Sequence, residues 1–190
     1  MIDLLQIEDF LDEATRADLV AELHAAHGAP ATVLSEAAGG MVHSAVRKTT
    51  RVAVSPEARA LVRQRLMDRK AEIEAHFGVA VTECEDPQFL RYETGDYFVP
   101  HQDGNTPLVH DESRFRRISA VIFLSQRSDE PAPDTYGGGE LVFHGPYTGP
   151  RERVAAAARP GSLVTFRAET THEVTMVTHG VRFTIATWFR

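Results

Sequence analysis

The chain has 190 residues, of which 43% are hydrophobic, and its formal net charge at pH 7 is -7. These values exclude a disordered chain and fit one domain with a substantial core, so we expect residues 1–190 to form a single domain. The negative charge argues against nucleic acid as a partner, and the single cysteine, Cys84, excludes an intrachain disulfide and favours a reducing compartment.

The N-terminal residues are typical of neither a targeting signal nor a membrane anchor. They alternate apolar and acidic side chains, without the basic start and the apolar centre of a signal peptide. No apolar run in the sequence approaches the length of a membrane span. We therefore expect a cytoplasmic protein with no membrane partner.

A short strand and a helix are predicted first. Residues 4–10 fit the strand, and residues 12–27 fit a helix that stops at the Gly28-Ala29-Pro30 sequence. Residues 35–40 fit a loop.

A second helix has clearer end signals. Ser55 is a favourable N-cap, and Pro56 is well suited to the first helical position. One helix is expected to run over residues 56–77 and to end at Gly78. We expect residues 1–85 to form a helix-rich support for the remainder of the chain.

From Val79 the apolar pattern changes to a period of two, which is typical of strands. The predicted strands cover residues 88–93, 117–125, 139–144, 162–167, 172–178 and 181–189. Helices that support many short antiparallel strands indicate an α+β, mainly β fold. We expect a double-stranded β-helix, or jelly roll, over residues 86–190.

His101 and Asp103 are candidate metal ligands. They lie two positions apart on extended backbone, so their side chains point to the same side, and the following Gly104 indicates a turn. With one downstream histidine they form the set of two imidazoles and one carboxylate that holds Fe(II) and leaves coordination positions open. The alternative is a chance pair at an ordinary turn, because the chain has nine histidines.

Three downstream histidines compete for the role of the third ligand. His179 fits a hairpin turn that faces solvent, and His144, beside a Gly-Pro pair, also favours an exposed position. His172 instead opens a strand of the predicted final hairpin. We therefore predict that His101, Asp103 and His172 are the metal ligands and the catalytic centre.

Arg182 opens the last predicted strand, the hairpin partner of the strand that begins at His172. Strand alternation places Arg182, Thr184, Ala186 and Trp188 on one face. A guanidinium followed by small residues makes a polar hollow that can hold an anionic co-substrate through two parallel hydrogen bonds. The alternative is a surface arginine on an edge strand.

Six ordered sequence pieces in the second half of the chain carry a family resemblance. They are Arg91-Tyr92-x-x-Gly95-x-Tyr97-x-x-Pro100-His101-x-Asp103, Arg117-Ile118-Ser119-Ala120-Val121-Ile122-Phe123-Leu124, Gly138-Gly139-Glu140-Leu141-x-Phe143, Pro160-Gly161-Ser162-Leu163-Val164-x-Phe166, His172-Glu173-Val174, and Gly180-x-Arg182 with Trp188. Together they resemble the Fe(II)/2-oxoglutarate dioxygenases, within the prolyl 4-hydroxylase-like branch. The resemblance covers residues 91–188.

The resemblance implies Fe(II) as the metal of His101, Asp103 and His172, and it implies that Arg182 pairs with the distal carboxylate of 2-oxoglutarate. Ascorbate is an optional further cofactor of such enzymes.

Five more positions are interpreted from the same resemblance. Tyr92 matches a family tyrosine near the co-substrate, Ser119 matches a helping hydroxyl, and Thr184 is a further hydroxyl donor. Phe123 stands where several relatives carry a tyrosine whose hydroxyl reaches the co-substrate. Trp188 is expected to form a wall of the site.

The implied activity is hydroxylation of an unactivated C–H bond with O2, together with decarboxylation of 2-oxoglutarate to succinate. Asp103 agrees with hydroxylation, because family halogenases carry a small residue at that position. The alternative is a non-oxidative, cupin-like metal-binding module or an isomerase, since the same ligand geometry occurs there. That alternative does not require Arg182.

The substrate and the oligomeric state are left open. A prolyl residue in a protein, another peptide side chain and a free small molecule all fit. Residues 104–116 and 128–138 are predicted loops at the mouth of the site and fit either specificity loops or solvated connections. Arg114, Arg116 and Arg117 fit either a contact with an acidic substrate or a solvated face.

Overall fold

The computed structural model describes residues 2–31, 46–106, 111–145 and 152–190. Its helices are α1 (Glu13–Ala25), α2 (Pro56–Asp68) and α3 (Lys70–Phe77), with a short 3-10 helix at Glu112–Phe115. None of these helices has both the length and the apolar character needed to cross a membrane.

The strands follow the chain in short segments. They are β1 (Leu4–Ile7), β2 (Gly28–Pro30), β3 (Arg47–Lys48), β4 (Thr50–Val52), β5 (Gln88–Tyr92), β6 (Tyr97–His101), β7 (Ile118–Phe123), β8 (Gln126–Arg127), β9 (Thr135–Gly138), β10 (Leu141–His144), β11 (Arg153–Ala155), β12 (Leu163–Arg167), β13 (His172–Val174), β14 (Val177–Gly180) and β15 (Arg182–Phe189).

Two large sheets and one small sheet are built from these strands. The first has the order β1-β12-β7-β15-β5-β4-β2, the second the order β11-β10-β13-β6-β3, and the small one the order β14-β9-β8. Every described pairing in the two larger sheets is antiparallel, whereas β8 and β9 are parallel. This architecture agrees with the predicted α+β, mainly β fold.

The two faces of β15 belong to two different apolar clusters. Phe183, Ile185 and Phe189 pack with Leu23 of α1 and Leu66 of α2, so the helices cover the outer face of the seven-stranded sheet.

The inner face looks toward the five-stranded sheet. The apolar cluster on this side includes residues of all three sheets: Leu90, Tyr92, Phe123, Leu141, Phe143, Val164, Phe166, Val174 and Val177. Arg182, Thr184 and Ala186 alternate with the outward residues of β15, which is the alternation that the sequence predicts.

The N-terminal residues supply strands as well as helices. β1, β2 and β4 extend the seven-stranded sheet, and β3 extends the five-stranded sheet. The expectation of a helix-rich support over residues 1–85 therefore omits four strands. The predicted helix over residues 12–27 is confirmed as α1, the strand predicted over residues 4–10 ends at Ile7, and residues 35–40 lie outside the described part of the chain.

The helix predicted over residues 56–77 has the expected ends but an unexpected interruption. Ser55 accepts a hydrogen bond from the backbone N–H of Ala58, and Gly78 closes the segment in the left-handed conformation with φ 61°. The segment divides at Arg69, whose N–H donates to the carbonyl of Leu66 at 3.1 Å. This tighter turn separates α2 from α3.

The predicted hairpin of residues 172–178 with residues 181–189 is wrong. The first segment divides into β13 and β14, which belong to different sheets, while β15 pairs with β5 and β7. The chain leaves one sheet after Val174 and enters another at Val177. The buried residues Val174 and Val177 on either side of this corner are three positions apart, so the period of two breaks where the chain changes sheet.

Part of one predicted loop is also a strand. Residues 135–138 form β9 within the expected loop 128–138, and the strand predicted over residues 139–144 begins at Leu141. Residues 107–110 of the other predicted loop lie outside the described part of the chain.

Candidate active site

The three predicted metal ligands converge between two neighbouring strands. His101 ends β6, His172 begins β13, and the two residues are direct partners in the antiparallel pairing. Asp103 follows two residues after His101, so it reaches the same space. The ligand atoms of the three side chains all lie within 4.8 Å of one another.

Backbone carbonyls orient both imidazoles. The Nδ1 atom of His101 lies 2.9 Å from the carbonyl oxygen of Val99, and Nδ1 of His172 lies 2.9 Å from that of Thr170. Because a carbonyl oxygen only accepts hydrogen bonds, each Nδ1 is the donor, so in the neutral form of either ring the lone pair is on Nε2. Nε2 is therefore the atom of each ring that can bind a metal.

Asp103 is held by contacts beyond the two histidines. The Ser119 hydroxyl donates to Asp103 Oδ2 at 2.7 Å, and Arg116 donates to the Asp103 carbonyl at 3.3 Å. Arg116 is itself fixed by two hydrogen bonds to Glu85, at 2.9 and 2.8 Å. Its guanidinium carbon lies 3.6 Å from the centre of the Trp188 ring. Such outer contacts fix the orientation of a metal ligand.

The electrostatics of the group keep its ligands ready for a metal. Burial lowers the pKa of His172 to about 4, with a further lowering from His101, so the imidazole is neutral near pH 7. Burial alone would raise the pKa of Asp103, but the two histidines and the Ser119 hydroxyl outweigh it and lower that pKa well below its usual range. Near pH 7 the set therefore contains the Asp103 carboxylate and the neutral imidazole of His172.

Aromatic rings enclose the two histidines. The Phe98 ring is stacked on His101 with 3.5 Å between centres and 14° between planes. The ring centres of Phe166 and His172 lie 4.7 Å apart, with the two rings in an edge-to-face arrangement. These rings restrict the motion of the imidazoles and keep water away from one side of the group.

Arg182 lies inside the fold rather than on a surface. The residue is 1% exposed, and its guanidinium carbon lies 4.9 Å from the centre of the Tyr92 ring and 5.8 Å from that of Phe123. Nη1 donates to the Thr184 hydroxyl at 3.2 Å, while the buried Nε atom has no hydrogen-bond partner. No ion pair in the described part of the chain includes this guanidinium. A buried, unpaired charge is costly, so the position favours an anionic ligand.

The predicted site residues therefore divide into two groups. Tyr92 and Thr184, which the sequence predicts at the co-substrate, both contact Arg182. Ser119 instead donates a hydrogen bond to Asp103, so in the structure it contacts a predicted metal ligand rather than Arg182.

The two competing histidines lie outside the metal-ligand group. His144 is half-buried rather than exposed, with Nε2 3.2 Å from Glu173 Oε1. His179 is part of β14 rather than of a hairpin turn, and its buried Nε2 has no partner. Both residues are partly buried, so both expectations of solvent exposure are wrong. His144 lies on β10 against Glu173 of the neighbouring β13, and His179 lies opposite Gly137 of β9.

Sequence reasoning missed the contacts that support the site. Arg116 was expected either to contact an acidic substrate or to face solvent. In the structure Arg116 is buried and paired with Glu85. The sequence indicated no role for Glu85 or Phe98. Their contacts depend on long-range packing, and only the aromatic character of Phe98 near His101 gave a local signal.

Comparison with known proteins gives a consistent result. Residues 87–190 match the family model described as the 2OG-Fe(II) oxygenase superfamily. A PKHD-type hydroxylase from Burkholderia ambifaria is 36% identical over 103 residues, which cover 54% of this chain and 41% of that protein. A PKHD-type hydroxylase from Bordetella pertussis is 30% identical over 189 residues, which cover 98% of this chain and 78% of that protein.

Solved structures show the same fold at low sequence identity. A Pseudomonas putida prolyl-4-hydroxylase has a TM-score of 0.73 and 20% identity, covering 100% of this chain and 93% of that chain. A Trichoplax adhaerens prolyl hydroxylase, solved with a peptide fragment of a hypoxia inducible factor, has a TM-score of 0.77 and 13% identity, covering 100% and 84%. These similarities confirm the predicted jelly roll.

The grouping of two histidines and one aspartate agrees with the family that the sequence matches, whose description names iron and 2OG. The chain belongs to the 2OG-Fe(II) oxygenase superfamily.

Proposed function

We propose that the chain is an Fe(II)- and 2-oxoglutarate-dependent oxygenase that hydroxylates an unactivated C–H bond. In this reaction 2-oxoglutarate, O2 and a C–H bond give succinate, carbon dioxide and a C–OH group. The observation that supports it most is a buried, unpaired Arg182 in the same interior as the His101, Asp103 and His172 group. A bare metal-binding module needs only the three ligands.

The site residues would form two groups, one that binds the metal and one that binds the co-substrate. His101, Asp103 and His172 would hold Fe(II), which supplies the redox chemistry that couples O2 to decarboxylation and C–H oxidation. Arg182, with Thr184 at its Nη1, would bind and orient the distal carboxylate of 2-oxoglutarate.

The apolar lining would support this binding. Tyr92 and Phe123 flank the Arg182 guanidinium and exclude water from it. A charge-assisted hydrogen bond is stronger in such a dry environment than in solvent.

For the substrate, we propose a peptidyl residue, with a free small molecule as the other class. The peptide complex of the Trichoplax adhaerens neighbour and the prolyl-4-hydroxylase from Pseudomonas putida support the first class. We also propose that the protein acts in the cytoplasm, on the basis of its free, buried Cys84. A need for ascorbate stays a prediction. No described feature favours the isomerase or the cupin-like module.

The test is succinate formation by the purified protein with Fe(II), 2-oxoglutarate and O2, which proceeds slowly even without the prime substrate. His101→Ala, Asp103→Ala and His172→Ala should each abolish succinate formation and weaken Fe(II) binding, because each removes one of three ligands. His144→Ala and His179→Ala are the controls and should retain both. Loss of iron binding in His179→Ala but not in His172→Ala would contradict the ligand assignment.

A further inference from the structure

Two buried polar atoms without partners belong to residues that border the same space. They are Nε of Arg182 and the phenolic oxygen, Oη, of Tyr136, and both residues are 1% exposed. A Cβ atom built on Gly139 would lie 2.9 Å from Cδ of Arg182 and 3.2 Å from Cε2 of Tyr136. The absence of a side chain at Gly139 therefore lets these two side chains approach each other.

The fold fixes Tyr136 in this place. Tyr136 lies on β9 and is the direct pairing partner of Gly180, two residues before Arg182. Val177, which belongs to the inner apolar cluster, also lies 3.0 Å from the Cβ position of Gly139. Tyr136 thus approaches the interior that contains Tyr92 and the Arg182 guanidinium.

The hydroxyl of Tyr136 needs an acceptor that the described residues do not provide. A buried hydroxyl without a hydrogen bond costs free energy, and a phenylalanine would fill the same volume without that cost. The ring of Phe123, 5.8 Å from the Arg182 guanidinium carbon, has no polar atom to offer. Both unpartnered groups, Tyr136 Oη and Arg182 Nε, are hydrogen-bond donors, so a single anion can satisfy both.

We propose that Tyr136 is a co-substrate-binding residue whose hydroxyl donates a hydrogen bond to the distal carboxylate of 2-oxoglutarate. This inference rests on the proposed function, since it needs that carboxylate at Arg182. A carboxylate has about four acceptor positions, enough for the guanidinium and the phenol together. Tyr136 would then select keto acids that carry a second carboxylate over those that do not.

The test is an anaerobic titration of the Fe(II)-loaded protein with 2-oxoglutarate. Binding is monitored through the charge-transfer absorbance of the bound keto acid. Tyr136→Phe removes only the hydroxyl and should weaken 2-oxoglutarate binding by about ten- to a hundredfold. The control is Thr135→Ala, which removes a neighbouring hydroxyl that bonds only to the Ala132 backbone, and it should bind 2-oxoglutarate like the parent protein.

A second ligand separates a direct contact from a structural effect. The same titration with 2-oxobutyrate, a keto acid without the distal carboxylate, should give equal affinities for the parent protein and Tyr136→Phe. Equal weakening for both keto acids would overturn the inference, because the substitution would then act through the fold.

The outcomes also distinguish this inference from the proposed function. Unchanged 2-oxoglutarate affinity in Tyr136→Phe, with weakened binding in Arg182→Ala, overturns the role of Tyr136 alone and would mean that its hydroxyl is satisfied by water. Absence of saturable 2-oxoglutarate binding in the parent protein overturns the proposed function itself.

Discussion

Arg182 is a buried cation, and no carboxylate of the described residues pairs with it. Truncating one member of a buried charge pair costs about 2–5 kcal/mol, much of it from leaving the other charge unpaired. Arg182→Ala should therefore leave Fe(II) binding intact but raise the 2-oxoglutarate requirement by about 30-fold or more. Arg182→Lys should recover part of the lost 2-oxoglutarate affinity, because it restores the charge without the planar guanidinium that makes two parallel hydrogen bonds.

The measurement is the anaerobic charge-transfer titration of each Arg182 variant. A titration curve of Arg182→Ala that matches the parent protein would reject the oxygenase and favour a metal-binding module.

Ser119 illustrates how a single contact changes an assigned role. Its hydroxyl donates to Asp103 Oδ2 at 2.7 Å, so Ser119→Ala should weaken Fe(II) binding by about tenfold or more, as is typical when an outer contact of a metal ligand is lost. Binding of 2-oxoglutarate at saturating iron should change little. Ser128→Ala, which removes an exposed hydroxyl bonded to the Glu130 carbonyl, is the control.

Equilibrium titration with Fe(II) measures the effect of Ser119→Ala. Normal iron affinity combined with weaker 2-oxoglutarate binding would instead support the role that the sequence resemblance implied for Ser119.

The approach of His101 to Asp103 was predictable from sequence because it is local. His101 and Asp103 need only extended backbone and a turn, and alternation along the last strand assigns Arg182 to the inner face. The contacts of Arg116 and Glu85 were not predictable, because the two residues come together only through the packing of separate strands. A charged residue gives no sequence signal that distinguishes a buried pair from a solvated face.

At the scale of elements, the junction between β9 and β10 depends on Gly139. Its φ is 56°, and a Cβ atom there would approach Arg182 and Tyr136 closely. Gly139→Ala should therefore lower the free energy of unfolding by about 1–2 kcal/mol from the backbone conformation alone, and it should also weaken 2-oxoglutarate binding through the contacts.

Gly78→Ala is the matched control for this substitution. Gly78 has a similar φ of 61°, but a Cβ atom would meet nothing within 4 Å. It should show the loss of stability in denaturant unfolding with no change in the 2-oxoglutarate titration. If Gly139→Ala also left the titration unchanged, the close approach of these side chains would have no part in binding.

Element types were predicted better than element partners. The caps at Ser55 and Gly78 were correct because they depend on adjacent backbone groups. The partners of β13 and β15 were wrong because two residues between Val174 and Val177 are enough to move the chain from one sheet to another. Sheet membership is decided by which apolar faces meet, and that information is spread over the whole chain.

At the scale of the whole molecule, Glu85 connects three distant segments. It pairs with Arg116, which precedes β7, and with Arg190, which follows β15. Burial alone would raise the pKa of Glu85, but the hydrogen bonds and charges of Arg116 and Arg190 outweigh it and lower that pKa below its usual value of 4.5. The stabilising contribution of Glu85 is therefore present above that value and is lost as the pH falls through the lowered pKa.

Denaturant unfolding of the metal-free protein from about pH 6 down to about pH 3 tests this dependence. Glu85→Gln should be less stable than the parent protein at the higher pH, and the difference should shrink toward the lower pH. A constant difference across this range would mean that the Glu85 charge does not stabilise the fold.

The pairing of β6 with β13 has a consequence for the cohesion of the fold. β13 has only three residues, and its register with β6 is interrupted between His172 and Val174. An ion held by His101 on one strand and His172 on the other would cross-link the strands where the ladder of backbone hydrogen bonds is irregular. A ligand that binds only the folded state stabilises it by mass action. The bound metal would therefore stabilise the pairing of β13 with β6. Removal of the metal should allow β13 to unfold locally before the rest of the five-stranded sheet.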